Sequence, residues 1–116
     1  MYKFKGKHVF SDIKNIDSKL LEDVSFLKKI LKDAIIQSNS TITKYGENIF
    51  DNNACCLFFL LEESHADIHT YPEHNALFFD AFTCGDIDPE IILKEFIKKL
   101  NKDIIIKTEI KLRGDH

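Results

Sequence analysis

The apolar run Ala54 to Leu61, ACCLFFLL, sets the tightest limit on how this chain can fold. It is the longest such run in the sequence, yet far short of the ~20 residues needed to span a bilayer. Short and rich in aromatic and aliphatic residues, it reads as a strand buried inside a domain. The chain then turns abruptly polar: EESHADIHTYPEH, residues 62–74, holds one serine, three histidines and four carboxylates. Ionisable groups at the end of a buried strand cost free energy unless something uses them.

The flanking sequence supplies the other layers. A first strand is expected around Lys7 to Phe10. From Asp17 to about Gln37, Leu20, Leu21, Val24, Leu27, Ile30, Leu31, Ala34 and Ile35 recur at three and four, the pattern of an amphipathic helix with one buried face. Thr41 to Phe50 is β-rich, with Gly46 marking a bulge or a turn, and DNN at 51–53 reads as a hairpin turn into the apolar run. HADIHTYP alternates polar and apolar residues and is expected to be extended. LFFDAFT, residues 77–83, is a further strand. DIDPE starts a second helix, with Asp88 as cap and Pro89 at its first position, running to about Asn101. IKTEIKL, within Ile104 to Leu112, alternates at period two and predicts a one-sided strand. Strands joined by short turns pair antiparallel, and two helices can cover only one face. The predicted fold is a two-layer α+β sandwich, a single domain over residues 1–116.

Several partner classes are disfavoured. Apolar content of 44% and charge of 30% are those of an ordinary globular domain. The formal charge of -3, with lysines spread along the chain, gives no basic stripe for nucleic acid or an anionic membrane. The start, MYKFKGKHVF, lacks an apolar signal region, so a cytoplasmic address is expected. Three cysteines without a CxxC pair disfavour a disulfide framework. His65 and His69 would suit a metal on a helix, but four residues along a strand lie roughly 13 Å apart, so no metal is expected.

Ser64 has no GxSxG context, which leaves a hydrolase elbow unsupported. Another chemistry uses the Glu63–Ser64 bond itself. A serine in a strained turn can attack the preceding carbonyl, turning the amide into an ester. β-Elimination then cuts the chain, and hydration with loss of ammonia leaves a pyruvoyl cap. Such a route needs a base, for which His69 is the right residue type, and donors for the oxyanion.

The block EESHADIHTYPE, followed by DAFTCGD and DPE, closely resembles the prokaryotic S-adenosylmethionine decarboxylase proenzymes. Those carry E-S-H-x-x-I-H-T-[WY]-P-E and then D-x-F-T-C-G-D at the same separation. The resemblance extends to GKHVF near the start, the LLEDVSFLKKIL helix and the closing strand. It implies cleavage at Glu63–Ser64 into a β chain 1–63 and an α chain 64–116, with Ser64 becoming the pyruvoyl group that condenses with the substrate amine. It implies His69 as the processing proton carrier and Cys84 as the catalytic proton donor. Phe50 and Tyr71 would sandwich the adenine, and Glu73 would bind the ribose hydroxyls. The cofactor would be self-derived, with no PLP and no metal. The protein would be a homodimer of processed protomers, acting on S-adenosylmethionine for spermidine synthesis.

Two stretches depart from the family pattern. Where relatives commonly read F-x-P-x-G-V-[ST], this chain has FDNNACC, so Cys56 stands in place of a hydroxyl residue. After Glu73, HNA replaces a Y-G-Y-type stretch. These changes motivate two alternatives: a pyruvoyl enzyme for another amino acid such as ornithine or arginine, and an unprocessed homologue that regulates a partner subunit.

Overall fold

A computed structural model describes residues 3–116. The strands are β1 (Lys5–Lys14), β2 (Ile42–Ile49), β3 (Cys55–Leu61), β4 (Ser64–Tyr71), β5 (Ala76–Cys84) and β6 (Ile105–Gly114). The helices are α1 (Ser18–Leu21), α2 (Val24–Gln37) and α3 (Pro89–Ile97). All strands pair antiparallel in one sheet, ordered β2-β3-β4-β5-β1-β6. The expected α+β architecture is present, with the helices on one face.

That face is the core. Alternate residues of the inner strands point to it: Val9 and Ile13, Leu57 and Phe59, Ala66 and Ile68, Leu77 and Phe79. Leu27, Leu31 and Ile35 of α2, with Ile92 and Phe96 of α3, close over them. Phe79 and Phe96 meet at 5.6 Å between ring centroids. Each such ring removed from water contributes about 2 kcal/mol.

Three local expectations change. The single helix predicted over 17–37 is two, because both its aspartates act as caps. Asp17 accepts the Lys19 N–H at 3.1 Å, and Asp23 accepts the Phe26 N–H at 3.0 Å and restarts the helix. A short acidic side chain competes for nearby backbone N–H groups, which favours a new N-terminus over continuation. The irregularity of β2 lies at Thr43, between Ile42 and Lys44, while Gly46 pairs regularly with Phe58. Finally, β6 alternates as predicted but is exposed along its whole length. It lies outside the strip covered by α3, which packs on β5 and β1.

Among the described residues the second sheet face carries no helix, and large apolar side chains stand on it. Phe10, Phe58 and Phe78 stand on it, 40%, 43% and 47% exposed, with Leu60 beside them. The continuous apolar run of β3 thus supplies two apolar faces, of which this chain covers one. A strand apolar on both sides belongs between two layers. Among the described residues, no helix is long and apolar enough to cross a membrane.

Candidate active site

Leu61 pairs with Ser64, so Glu62 and Glu63 form the tight turn between β3 and β4. Glu63 sits at φ 66°, in the left-handed region. For a residue with a Cβ this conformation costs on the order of 1 kcal/mol or more. The strain therefore falls on the residue whose carbonyl precedes Ser64. Ser64 is buried, and its Oγ accepts the Cys84 N–H at 3.4 Å. The antiparallel pairing of β4 and β5 creates this contact, since it brings the start of one strand to the end of the other. Ser64 and Cys84, twenty residues apart in sequence, thus meet at one end of the sheet.

The Cys84 side chain opens on a surface cavity shared with Phe4, Lys5, Gly6, Phe82 and Arg113. Phe4 is 79% exposed, a bare ring beside the thiol's cavity that no sequence motif singled out. A Cβ on Gly6 would lie 2.6 Å from the Phe82 ring, so a side chain there would have to displace that ring.

The other residues implied by the resemblance gather at the opposite end. His69 pairs across β3 with Cys56, and its Nδ1 lies 3.0 Å from Sγ. Burial, and then the charge of Asp67, push the Cys56 thiol up, which keeps it protonated at neutral pH. Tyr71 packs its ring on Phe78 at 5.0 Å. Phe50 follows β2 and is exposed. The two rings share an end of the sheet, but β3 stands between their strands, which separates the backbones by roughly 10 Å. They are therefore not the adjacent neighbours that a simple hairpin would give. Pro72–His74 forms a 3-10 turn, so Glu73 does not continue the strand from Tyr71. Its Oε2 accepts from Asn52 Nδ2 at 3.2 Å, which ties it to the DNN turn beside Phe50.

Ser64 and His69 are not brought together within one chain. They are five residues apart on β4, which places them on opposite faces and roughly 16 Å apart along the strand.

A polar cluster occupies the middle of the open face. Nε2 of His8 and Nε2 of His65 both contact the Asp80 carboxylate, the latter at 3.3 Å. These three side chains offer ligand atoms within 4.8 Å of one another, a donor set of the kind divalent ions use, though each ring nitrogen already has Asp80 as partner. Burial opposes ionisation of Asp80, but hydrogen bonds from His65 and His8 outweigh it and hold the carboxyl below its usual range. The hydrogen bond to Asp80 also raises the His65 imidazolium's pKa. Asp67, directly across from Asp80, is pushed up to about 7, first by burial and then by hydrogen bonding to Asp80 and its charge.

This last shift has a measurable consequence. An unfolded aspartate titrates near ~3.9, so the fold holds the Asp67 proton more tightly than the unfolded chain does. Its stabilising contribution is complete below about pH 4 and is lost as pH rises toward 7. In a Ser64→Ala background, Asp67→Asn should therefore gain thermal stability relative to its parent between pH 5 and pH 8. A difference that stays constant across that range would contradict the coupling.

A family profile described as S-adenosylmethionine decarboxylase matches residues 7–113. S-adenosylmethionine decarboxylase proenzyme 2 of Bacillus cereus is 35% identical over 100 residues, covering 85% of this chain and 81% of that protein. The S-adenosylmethionine decarboxylase proenzyme of Brevibacillus brevis is 32% identical over 126 residues, covering 96% and 95%. In structure, the chain is similar to the adenosylmethionine decarboxylase of Aquifex aeolicus, with a TM-score of 0.86, 27% identity, and coverage of 98% of this chain and 94% of that one.

Proposed function

Because the chain belongs to the S-adenosylmethionine decarboxylase family, we propose that it is a proenzyme that cuts itself at Glu63–Ser64 and then decarboxylates S-adenosylmethionine, yielding an aminopropyl donor for spermidine synthesis. The observation that carries this reading is the strained Glu63 immediately before a buried Ser64 whose hydroxyl contacts Cys84. Attack of Oγ on the Glu63 carbonyl carbon forms the C–O bond and breaks the C–N bond, giving an ester and a free amine. Removal of the Ser64 Cα proton expels the Glu63 carboxylate and leaves dehydroalanine. Water then replaces nitrogen, which departs as ammonia.

The residues present suit the group so made. It would begin the α chain at the head of β4, beside the Cys84 cavity. Bound there, it supplies a carbonyl electrophile that accepts the substrate amine and draws off the electrons left when CO2 departs. Cys84 has the chemistry to return a proton to the substrate carbon. The ring of Phe50 and the carboxylate of Glu73, tied to it through Asn52, suit a nucleoside: stacking contributes roughly 1 kcal/mol, and the carboxylate can accept from a ribose diol. Tyr71, on the same end, would add a second aromatic surface.

The functional unit is a homodimer on this reading. Face-to-face packing of two open faces would cover Phe10, Phe58 and Phe78. A two-fold axis between the sheets, perpendicular to the strands, sets the His69 end of one chain over the Ser64 end of the other. Stacked sheets lie about 10 Å apart, within reach of side chains from both. The separation of Ser64 from His69 within one chain is what favours this arrangement.

Two measurements test the chemistry. Cleaved protein should release CO2 from carboxyl-labelled S-adenosylmethionine, and Phe50→Ala should reduce that release by about fivefold, the loss of one stacked face. Turnover of ornithine or arginine alone would sink the substrate assignment and leave the self-cleavage reading standing. Cys84→Ala should still cleave but lose about 100-fold or more in turnover, the usual scale for a general acid. A cleaved and fully active Cys84→Ala would remove Cys84 from the reaction.

A further inference from the structure

The polar groups of the open face form a continuous line across four strands. Cys56 on β3 contacts Nδ1 of His69 on β4. Nε2 of His69 lies 3.5 Å from Oδ1 of Asp67, two residues back on the same face. Asp67 stands directly across from Asp80 on β5, and Asp80 holds His65 and, on β1, His8. His69 is thus bracketed, a thiol at one ring nitrogen and a carboxyl oxygen at the other. The rest of its ring is about half exposed, so these two contacts are what fix its orientation.

We propose that Asp67 is the positioning residue for His69: it accepts the Nε2–H and so keeps the basic lone pair on Nδ1, on the side of Cys56. This rests on the reading of His69 as the proton carrier of self-cleavage. A neutral imidazole has one donor and one acceptor nitrogen, and a base is useful only if its lone pair faces the proton. Sγ of Cys56 lies 3.0 Å from Nδ1, where a protonated thiol has an acceptor when the ring proton is on Nε2. Asp67 can serve in either protonation state. As a carboxylate it accepts through both oxygens. As an acid it gives its proton to Asp80 through one oxygen and accepts from His69 through the other. Asp80 is held in turn by His8 and His65, so the anchor reaches across to β1. The position carries an aspartate where the family block is unspecified, which is why no motif announces it.

The test uses full-length protein. In a Ser64→Ala background, proton NMR should show a slowly exchanging His69 Nε2–H signal. Asp67→Val, which offers no acceptor but suits a strand, should abolish it, and Asp67→Glu should restore it. With Ser64 intact, the same Val change should slow cleavage about tenfold to 100-fold, as expected for a misplaced catalytic group, with recovery in the Glu variant. Persistence of the Nε2–H signal in Asp67→Val would overturn the proposal, as would its loss with an unchanged cleavage rate. A wild-type chain that never cleaves would instead overturn the self-cleavage reading, without reference to any Asp67 variant.

Discussion

Purified wild-type protein is expected to consist of two fragments, residues 1–63 and 64–116, whereas Ser64→Ala remains one full-length chain. The second fragment should be blocked at its N-terminus and lighter by one ammonia than a serine-started chain. The turn explains why the bond breaks there. Two residues connect β3 to β4, and the second, Glu63, is held at φ 66°. Neither strand can relax this, because Leu61 and Ser64 are already paired in the sheet. An acyl shift from nitrogen to oxygen lengthens the connection by the serine side chain and offers release of that strain. Removing Oγ removes the nucleophile while leaving the turn, so the effect is all or none rather than a slower rate. Intact-mass spectrometry separates the outcomes in one measurement. A stable uncut wild-type chain would favour the regulatory alternative, which is motivated by Cys56, a weaker hydrogen-bond donor than the hydroxyl usual there.

Much of this architecture was legible because it depends on local rules. The Asp88-Pro89 start of α3, the turn at 51–53 and the extended histidine segment follow from capping, turn chemistry and alternation. The contact of Ser64 with Cys84 was implied only through the resemblance, since their spacing says nothing of distance until β4 and β5 are paired. What the sequence hid depends on which surface covers which. The period-two pattern of β6 is real, but the strand is exposed along its whole length, and periodicity cannot report the width of the covering layer. ACCLFFLL suggested burial on both faces, yet in one chain Phe58 and Leu60 remain exposed. The break at Asp23 was missed because Leu20, Leu21, Val24 and Leu27 keep their spacing across it. Asp67 and Phe4 belong to no motif; strand alternation sets Asp67 beside His69, but only the register of the sheet sets it across from Asp80 and brings Phe4 to the Cys84 cavity.

A mixed dimer offers the sharpest test of how the site is assembled. Ser64→Ala chains cannot cut themselves, and His69→Ala chains lack the proposed base, so neither is expected to cleave efficiently alone. Within one chain the two residues lie on opposite faces of β4, five positions apart, and a base must come within about 3 Å of the proton that it removes. A rotation about its Cβ cannot carry His69 through the sheet, and sliding β4 would break its pairing with β3 and β5. The partner removes the separation along the strand, and Ser64 heads β4 next to the turn, so it is reached past the end of the sheet rather than through it. With the sheets face to face and antiparallel, His69 and Cys56 of one copy overlie the end where the other copy's Ser64 and Cys84 sit. Co-expressed variants should therefore complement: the His69→Ala chain, whose Ser64 is intact, is cut by a partner whose His69 is intact. Differently tagged chains show by mass which was cleaved, and only the His69→Ala chain should yield fragments. At most one of the two sites in each mixed dimer can form, so its yield is limited to that chain. Cleavage absent from the mixture while wild type cleaves would place the base within the same chain. The open face would then have to deform far more than its register allows.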